Sequence, residues 1–281
     1  MNHSPRRTPQ SPLTITLTAL LLCSATVGNS ISKPYGVNIW DIEDWAQYDL
    51  KRDADVDRYR VAVIWGHAEG AGDVGPTSTA TYNWWTPDCG FRTAQRTGAR
   101  IMFMLSDVPG WASISRIGKE QHIRKWCEFI KDLLIRGDEQ APGKVDALDL
   151  CNEMCVWGEN LDRDVSWWYA DLLKADYRLT KQHNPNVAVL PTPCFPGNGR
   201  PQEGVIDDLY QMGCGPYMER TNIHYYVHDL GVQRDPMYQG MYHYPTVVRY
   251  MKYLSEQNGD FSSLVTNTEY GWITTLNTPY L

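Results

Sequence analysis

The feature that most constrains this chain is a hydrophobic period that switches repeatedly along it. Short runs rich in β-branched and aromatic residues alternate with longer stretches of helical spacing. Strands are predicted at Tyr35 to Ile39, Tyr59 to Ile64, Arg100 to Leu105, Val145 to Cys151, Val187 to Leu190, Thr221 to Tyr226 and Leu264 to Thr268. Two amphipathic helices stand between them. Ile123, Trp126, Ile130 and Leu133 form one apolar stripe, and Trp168, Leu172, Ala175 and Leu179 form the other. Gly137 and the pair Asn184-Pro185 are the expected helix stops, and a third helix is predicted over Pro245 to Glu256. A parallel strand pair needs a crossover long enough to hold a helix, so this alternation reads as α/β with parallel strands under covering helices. Gly66 to Thr81, rich in Gly, Ala and Thr, reads as a long loop after the second strand, and no internal repeat or linker divides the chain.

Residues 1–32 read as an export signal. Arg6 and Arg7 precede the apolar stretch Leu13 to Val27, and Gly28, Asn29 and Ser30 suit cleavage. That run is about 15 residues, short of the ~20 that a spanning helix needs, so no membrane association is expected after signal removal. Residues 33–281 then form one domain of barrel size, destined to be secreted or periplasmic. Loss of two arginines takes the formal charge from −7 to −9, which leaves no basic footprint for a nucleic-acid partner. Cys89, Cys127, Cys151, Cys155, Cys194 and Cys214 make an even set compatible with an oxidising compartment, with the pairing open. Cys151 and Cys155 could make half a metal site, but no second Cys or His pair stands at zinc-finger spacing, so no structural metal is expected.

Two of the predicted strands end in glutamate. Val145 to Cys151 runs into Asn152-Glu153, and Leu264 to Thr268 into Glu269. In a parallel barrel all carboxyl ends open on one face, so acids far apart in sequence converge across the mouth.

With these residues the chain resembles clan A of the glycoside hydrolases, retaining enzymes on a TIM (β/α)8-type barrel, most closely their xylosidase-like and cellulase-like members. Gly36-Val37-Asn38 looks like the first-strand motif, and Arg60 like the second-strand arginine that hydrogen-bonds the nucleophile. Leu105 to Ala112 is similar to the third-strand loop whose tryptophan, here Trp111, walls the sugar site. His224-Tyr225-Tyr226 resembles the sixth-strand motif, and Thr268-Glu269-Tyr270-Gly271-Trp272 the nucleophile motif.

The resemblance implies hydrolysis of β-glycosidic bonds in an oligosaccharide or polysaccharide by double displacement, with no cofactor and no metal. Glu153 is the expected general acid/base and Glu269 the nucleophile. Asn152, Arg60, His224, Tyr226, Trp111 and Trp272 are expected to bind substrate or support the pair. Asn152 would donate its amide to the sugar 2-hydroxyl, while Arg60 and the Tyr226 hydroxyl would keep Glu269 ionised. An arginine in an apolar strand must have a partner, and Asp149, expected inside the barrel by its alternation with Cys151 and Glu153, would serve equally well. The bias of 11 Trp and 17 Tyr over 5 Phe suits a site where sugars stack on rings and bond at their rims. Trp126 and Trp168, on helix stripes, are expected in the core.

Two features depart from the pattern. Met154 stands where the clan often has proline, and the chain ends at Leu281, twelve positions after Glu269, where another helix and strand need roughly thirty. The expectation is a barrel stopped before strand eight. The alternatives are an inactive fragment, a non-catalytic carbohydrate-binding barrel, and a metal-dependent barrel hydrolase. The last would need a His-x-His pair that the first strand lacks.

Overall fold

A computed structural model describes residues 36–39, 56–68, 82–152, 163–191, 202–227, 244–261 and 263–272. All seven predicted strands are present. They are β1 (Gly36–Ile39), β2 (Arg58–Ile64), β3 (Arg100–Ser106), β4 (Val145–Leu150), β5 (Ala188–Pro191), β6 (Arg220–Val227) and β7 (Leu264–Trp272). The covering helices are α1 (Trp85–Thr97), α2 (Lys119–Gln140), α3 (Arg163–His183), α4 (Gln202–Gln211) and α5 (Tyr244–Gln257).

Every ladder is parallel and neighbours follow chain order, with β1 to β5 in one sheet and β6 beside β7 in a second. Beside β5 the second sheet is joined to the first through Glu219. The Val189 amide donates to Glu219 Oε2 at 2.9 Å, and the Glu219 amide donates to the Val189 carbonyl at 3.3 Å. Lys181 reaches the same carboxylate at 2.7 Å.

Strand alternation sorts the core into two layers. Tyr59, Val61, Val63, Ile101, Phe103, Leu105, Leu148 and Val189 face the helices and pack with Phe91, Trp126, Phe129, Ile130 and Leu133. Met102, Ala147, Ala188 and Leu190 form a smaller cluster on the other face of the sheet. At the amino ends of β2, β3 and β4, Arg58 and Arg100 share Asp146 at 2.5 and 2.6 Å. Asp57 closes the ring by pairing with both arginines.

Three sequence expectations are corrected. Gly137 does not end its helix, because α2 runs through it to Gln140. A Cβ at Gly137 would lie 2.8 Å from Val145 Cγ2, so the glycine serves close approach of helix to strand. Gly137→Ala therefore gains helix propensity of ~1 kcal/mol but overpacks at ~1–3 kcal/mol. A net loss of about 1 kcal/mol in urea denaturation is expected.

The second correction concerns the long loop expected from Gly66. Trp65–Ala68 forms a helical turn, so Gly66 to Ala68 are helical and not loop, and the rest of the expected loop, 69–81, lies outside the described residues.

The third concerns α3. Its deepest residues are Tyr169, Leu172, Leu173, Asp176 and Thr180, so the buried face is offset from the stripe through Trp168 and Ala175. That offset carries an acid into the core. The remaining helix expectations hold closely, with α3 ending at His183 before Asn184-Pro185 and α5 within a residue of its predicted limits. Among the described residues no helix is long and apolar enough to cross a membrane.

Candidate active site at the carboxyl ends of the strands

Inward positions of β2, β4 and β6 carry Arg60, Asp149 and Asn222, all buried. These strands are not neighbours in either sheet, so contact among their side chains requires the wall to curl around them. They do touch. Arg60 directs Nε and a terminal nitrogen onto Asp149 Oδ2 at 2.8 and 2.7 Å. Asn222 donates Nδ2 to the other carboxylate oxygen at 3.0 Å. Interior residues supplied by alternate strands, here β2, β4 and β6, are how a barrel of this kind fills its centre in layers.

The network extends to the residues before both glutamates, although β7 runs on to Trp272, so Glu269 lies within that strand and not at its end as expected from the sequence. Arg60 also donates to Asn152 Oδ1 at 2.7 Å, just beyond β4. On the other side Thr268 Oγ1 donates to Asn222 Oδ1 at 2.7 Å, and His224 Nε2 lies 3.0 Å from the same hydroxyl. Proton directions follow from the ends inward. An ionised Asp149 only accepts, so Asn222 presents its amide nitrogen to Asp149 and its oxygen to Thr268. Thr268 has a single proton and gives it to Asn222, which makes His224 Nε2 an N–H donor.

Backbone conformation at this face is unusual. The two non-glycine residues of positive φ among those described are Asp107 (46°) and Cys151 (59°), immediately after β3 and β4. Such residues cost of order 1–3 kcal/mol each and cluster where structure serves a site. Cys151 also corrects the sequence reading. Its left-handed turn breaks the alternation after Leu150 and sends its side chain into the outer core, so parity with Asp149 does not continue to later positions. Asp149 itself faces inward as expected.

On β7 the register shifts by one. Ile223 pairs with Asn267 but His224 pairs with Glu269, leaving Thr268 as an extra residue. Bulges of this kind re-aim side chains and are over-represented beside active sites.

The expected site residues fall as follows. Arg60, Asn152 and His224 are joined in one network, with Asp149, Asn222 and Thr268 as members that the motifs did not single out. Glu269 takes the register position opposite His224, while Tyr226 and Trp272 are placed only by their positions in β6 and β7. Glu153 lies outside the described residues. Trp111, expected as an open wall, is 7% exposed and packs edge-on to Trp65 at 6.0 Å, so most of its ring belongs to the core. Cys127, Cys151 and Cys214 are free thiols, while Cys155 and Cys194 lie outside the described residues. Burial raises the thiol of Cys127 to about 12 and that of Cys214 to about 11, so neither offers a thiolate nucleophile at neutral pH.

Among the described residues Asp176 on α3 is the other buried acid. It is fully enclosed, neither carboxylate oxygen has a hydrogen-bond partner, and burial pushes its pKa up to about 8. Unfolded aspartate titrates near 3.9. Between about pH 4 and 8 the folded chain holds a proton that the unfolded chain releases, so stability falls as pH rises through this window. Asp176→Asn removes that dependence. The variant should match the parent near pH 4 and exceed it by a few kcal/mol at pH 8. Urea denaturation at the two pH values checks this, and an equal gap at both would refute it.

No family model and no curated protein matches the chain. Solved structures do. A family 39 glycoside hydrolase from Bacteroides cellulosilyticus WH2 is similar at TM-score 0.61 and 20% identity, over 86% of this chain and 49% of that one. A glucosidase from Croceicoccus marinus is similar at TM-score 0.57 and 17% identity, over 83% and 49%. The endo-1,4-β-D-mannanase of Thermotoga petrophila RKU-1 is similar at TM-score 0.54 and 13% identity, over 85% and 79%.

The chain thus spans about half the length of the first two. The family 39 enzyme and the mannanase belong to clan A and fold as TIM barrels, so the resemblance read from the motifs is matched in fold. The fold of this chain is a TIM-type (β/α) barrel.

Proposed function

We propose that this chain is a retaining glycoside hydrolase that cleaves β-glycosidic bonds in an oligosaccharide or polysaccharide, with Glu153 as general acid/base and Glu269 as nucleophile. One observation carries the reading: the residues immediately preceding the two glutamates, Asn152 just beyond β4 and Thr268 at the bulge of β7, belong to a single, largely buried hydrogen-bond network. Acids that follow two residues joined in this way are suited to attack and proton transfer at one anomeric carbon.

In the proposed mechanism Glu269 attacks the anomeric carbon while protonated Glu153 gives its proton to the leaving oxygen. Water then attacks the glycosyl-enzyme ester as Glu153 withdraws the water's proton, and configuration is retained. The two carboxyl groups would stand about 5–5.5 Å apart. Because Arg60 engages Asn152 Oδ1, the amide nitrogen of Asn152 is left to donate, as a bond to the sugar 2-hydroxyl needs. That bond would strengthen as positive charge develops on the ring. Arg60 and Tyr226 would hold Glu269 ionised, His224 would line the cleft, and Trp272 rather than the core-packed Trp111 would supply the main stacking surface. Residues 1–32 are proposed to direct export, placing the domain outside the cytoplasm.

The test is turnover of a panel of aryl β-glycosides by the full chain, with anomeric configuration followed by NMR. Release of the β-anomer first supports the reading. Release of the α-anomer, or no turnover across the panel, overturns it.

A further inference from the structure

The polar layer contains more than the expected mechanism uses. Asp149 and Asn222 lie too deep for any assigned contact with a sugar, both at 0% exposure, yet they link the two halves of the site. Followed through its hydrogen bonds, the chain runs His224, Thr268, Asn222, Asp149, Arg60, Asn152, and spans β7, β6, β4, β2 and the turn after β4. The two oxygens of Asp149 divide the work. Oδ2 takes the guanidinium that holds Asn152, and Oδ1 takes the amide that holds Thr268. Thr268 is moreover the extra residue of β7, the point where that strand's register changes just before Glu269.

We infer that Asp149 and Asn222 are positioning residues, a relay that sets the Asn152-Glu153 segment after β4 against the Thr268-Glu269 bulge of β7. The catalytic part of this inference rests on the glycosidase reading above. Physically, each bond of this network ties a buried side chain to a set partner, so a slip of one strand would leave a buried polar group without its bond. The relay therefore fixes the phase of the β7 bulge from the opposite wall of the barrel. A displacement of even 1 Å between reacting groups costs on the order of 100-fold in rate, so such a brace acts on turnover more than on binding.

Asn222 is the link to cut, since it carries no charge and its removal leaves the Arg60–Asp149 pair intact. Asn222→Ala in the full chain is expected to lower kcat at least ~10-fold with KM within about twofold. It is also expected to speed hydrogen exchange of the Asn152 amide, which is bonded to the Leu105 carbonyl at 3.1 Å on the far side of the network. Thr268→Val should reproduce both effects, and Thr268→Ser, which keeps the hydroxyl, should reverse them. Ile223→Val, on the same strand but facing the helices, controls for simple loss of stability and should move neither readout.

If Asn152 exchange and kcat stay within twofold of the parent in Asn222→Ala, or if Ile223→Val lowers kcat equally, the relay is refuted and the glycosidase reading stands. If the parent turns over no glycoside while Asn152 exchange still responds to Asn222→Ala, the glycosidase reading falls and the relay survives as a structural coupling.

Discussion

Glu269→Ala is expected to lower hydrolysis of an aryl β-glycoside by at least ~10⁴-fold, because without a nucleophile the double displacement has no first step. The variant should remain folded, since a single acid contributes little to an apolar core. Glu153→Gln should show a smaller and more informative loss of ~10²–10⁴-fold, set by the leaving group. Good leaving groups depart without a proton, so the defect should shrink from alkyl to nitrophenyl glycosides. A loss at Glu269 that merely matched the loss at a surface glutamate would remove the assignment.

The second large effect lies in stability. Asp149→Ala leaves the Arg60 guanidinium buried without the carboxylate that receives two of its bonds, and breaking one side of a buried pair costs about 3–5 kcal/mol. Replacing both partners by apolar residues of similar volume should recover much of that loss, because the desolvation penalty of the charges disappears with them. The double variant Arg60→Met/Asp149→Leu is therefore expected to be closer to the parent in urea denaturation than Asp149→Ala. It should remain catalytically poor, since Asn152 and Asn222 both lose a partner. A double variant no more stable than the single one would show that the pair contributes through packing alone.

Much of the architecture was legible because periodicity reports burial directly. Ile101, Phe103 and Leu105 alternate toward the helices while Met102 turns inward, and a period of two permits little else. The Arg60–Asp149 pair was legible for an energetic reason, as neither charge could remain buried in a strand without a partner. Asn222 left no such mark. A neutral amide in a strand carries no charge to account for, and only its spacing of two from His224 placed it on the same face. The turn at Cys151 was hidden because left-handed conformations are usually announced by glycine or asparagine, whereas here tertiary packing holds a cysteine in one. Gly137 misled for the opposite reason. Its absence of a Cβ answers the nearness of Val145, a contact 8 residues away in sequence that no local pattern encodes. The β7 bulge was equally silent, since register belongs to a pair of strands and cannot be read from either alone.

The join between β5 and β6 carries its own consequence. Elsewhere neighbouring strands are zipped by repeated backbone bonds, but here Glu219 supplies through its side chain what a ladder would supply through peptides. Opening at that point breaks fewer backbone bonds than opening a ladder, so among the described strands the free energy of local opening should be lower between β5 and β6 than within either sheet, and amide exchange should report it first there.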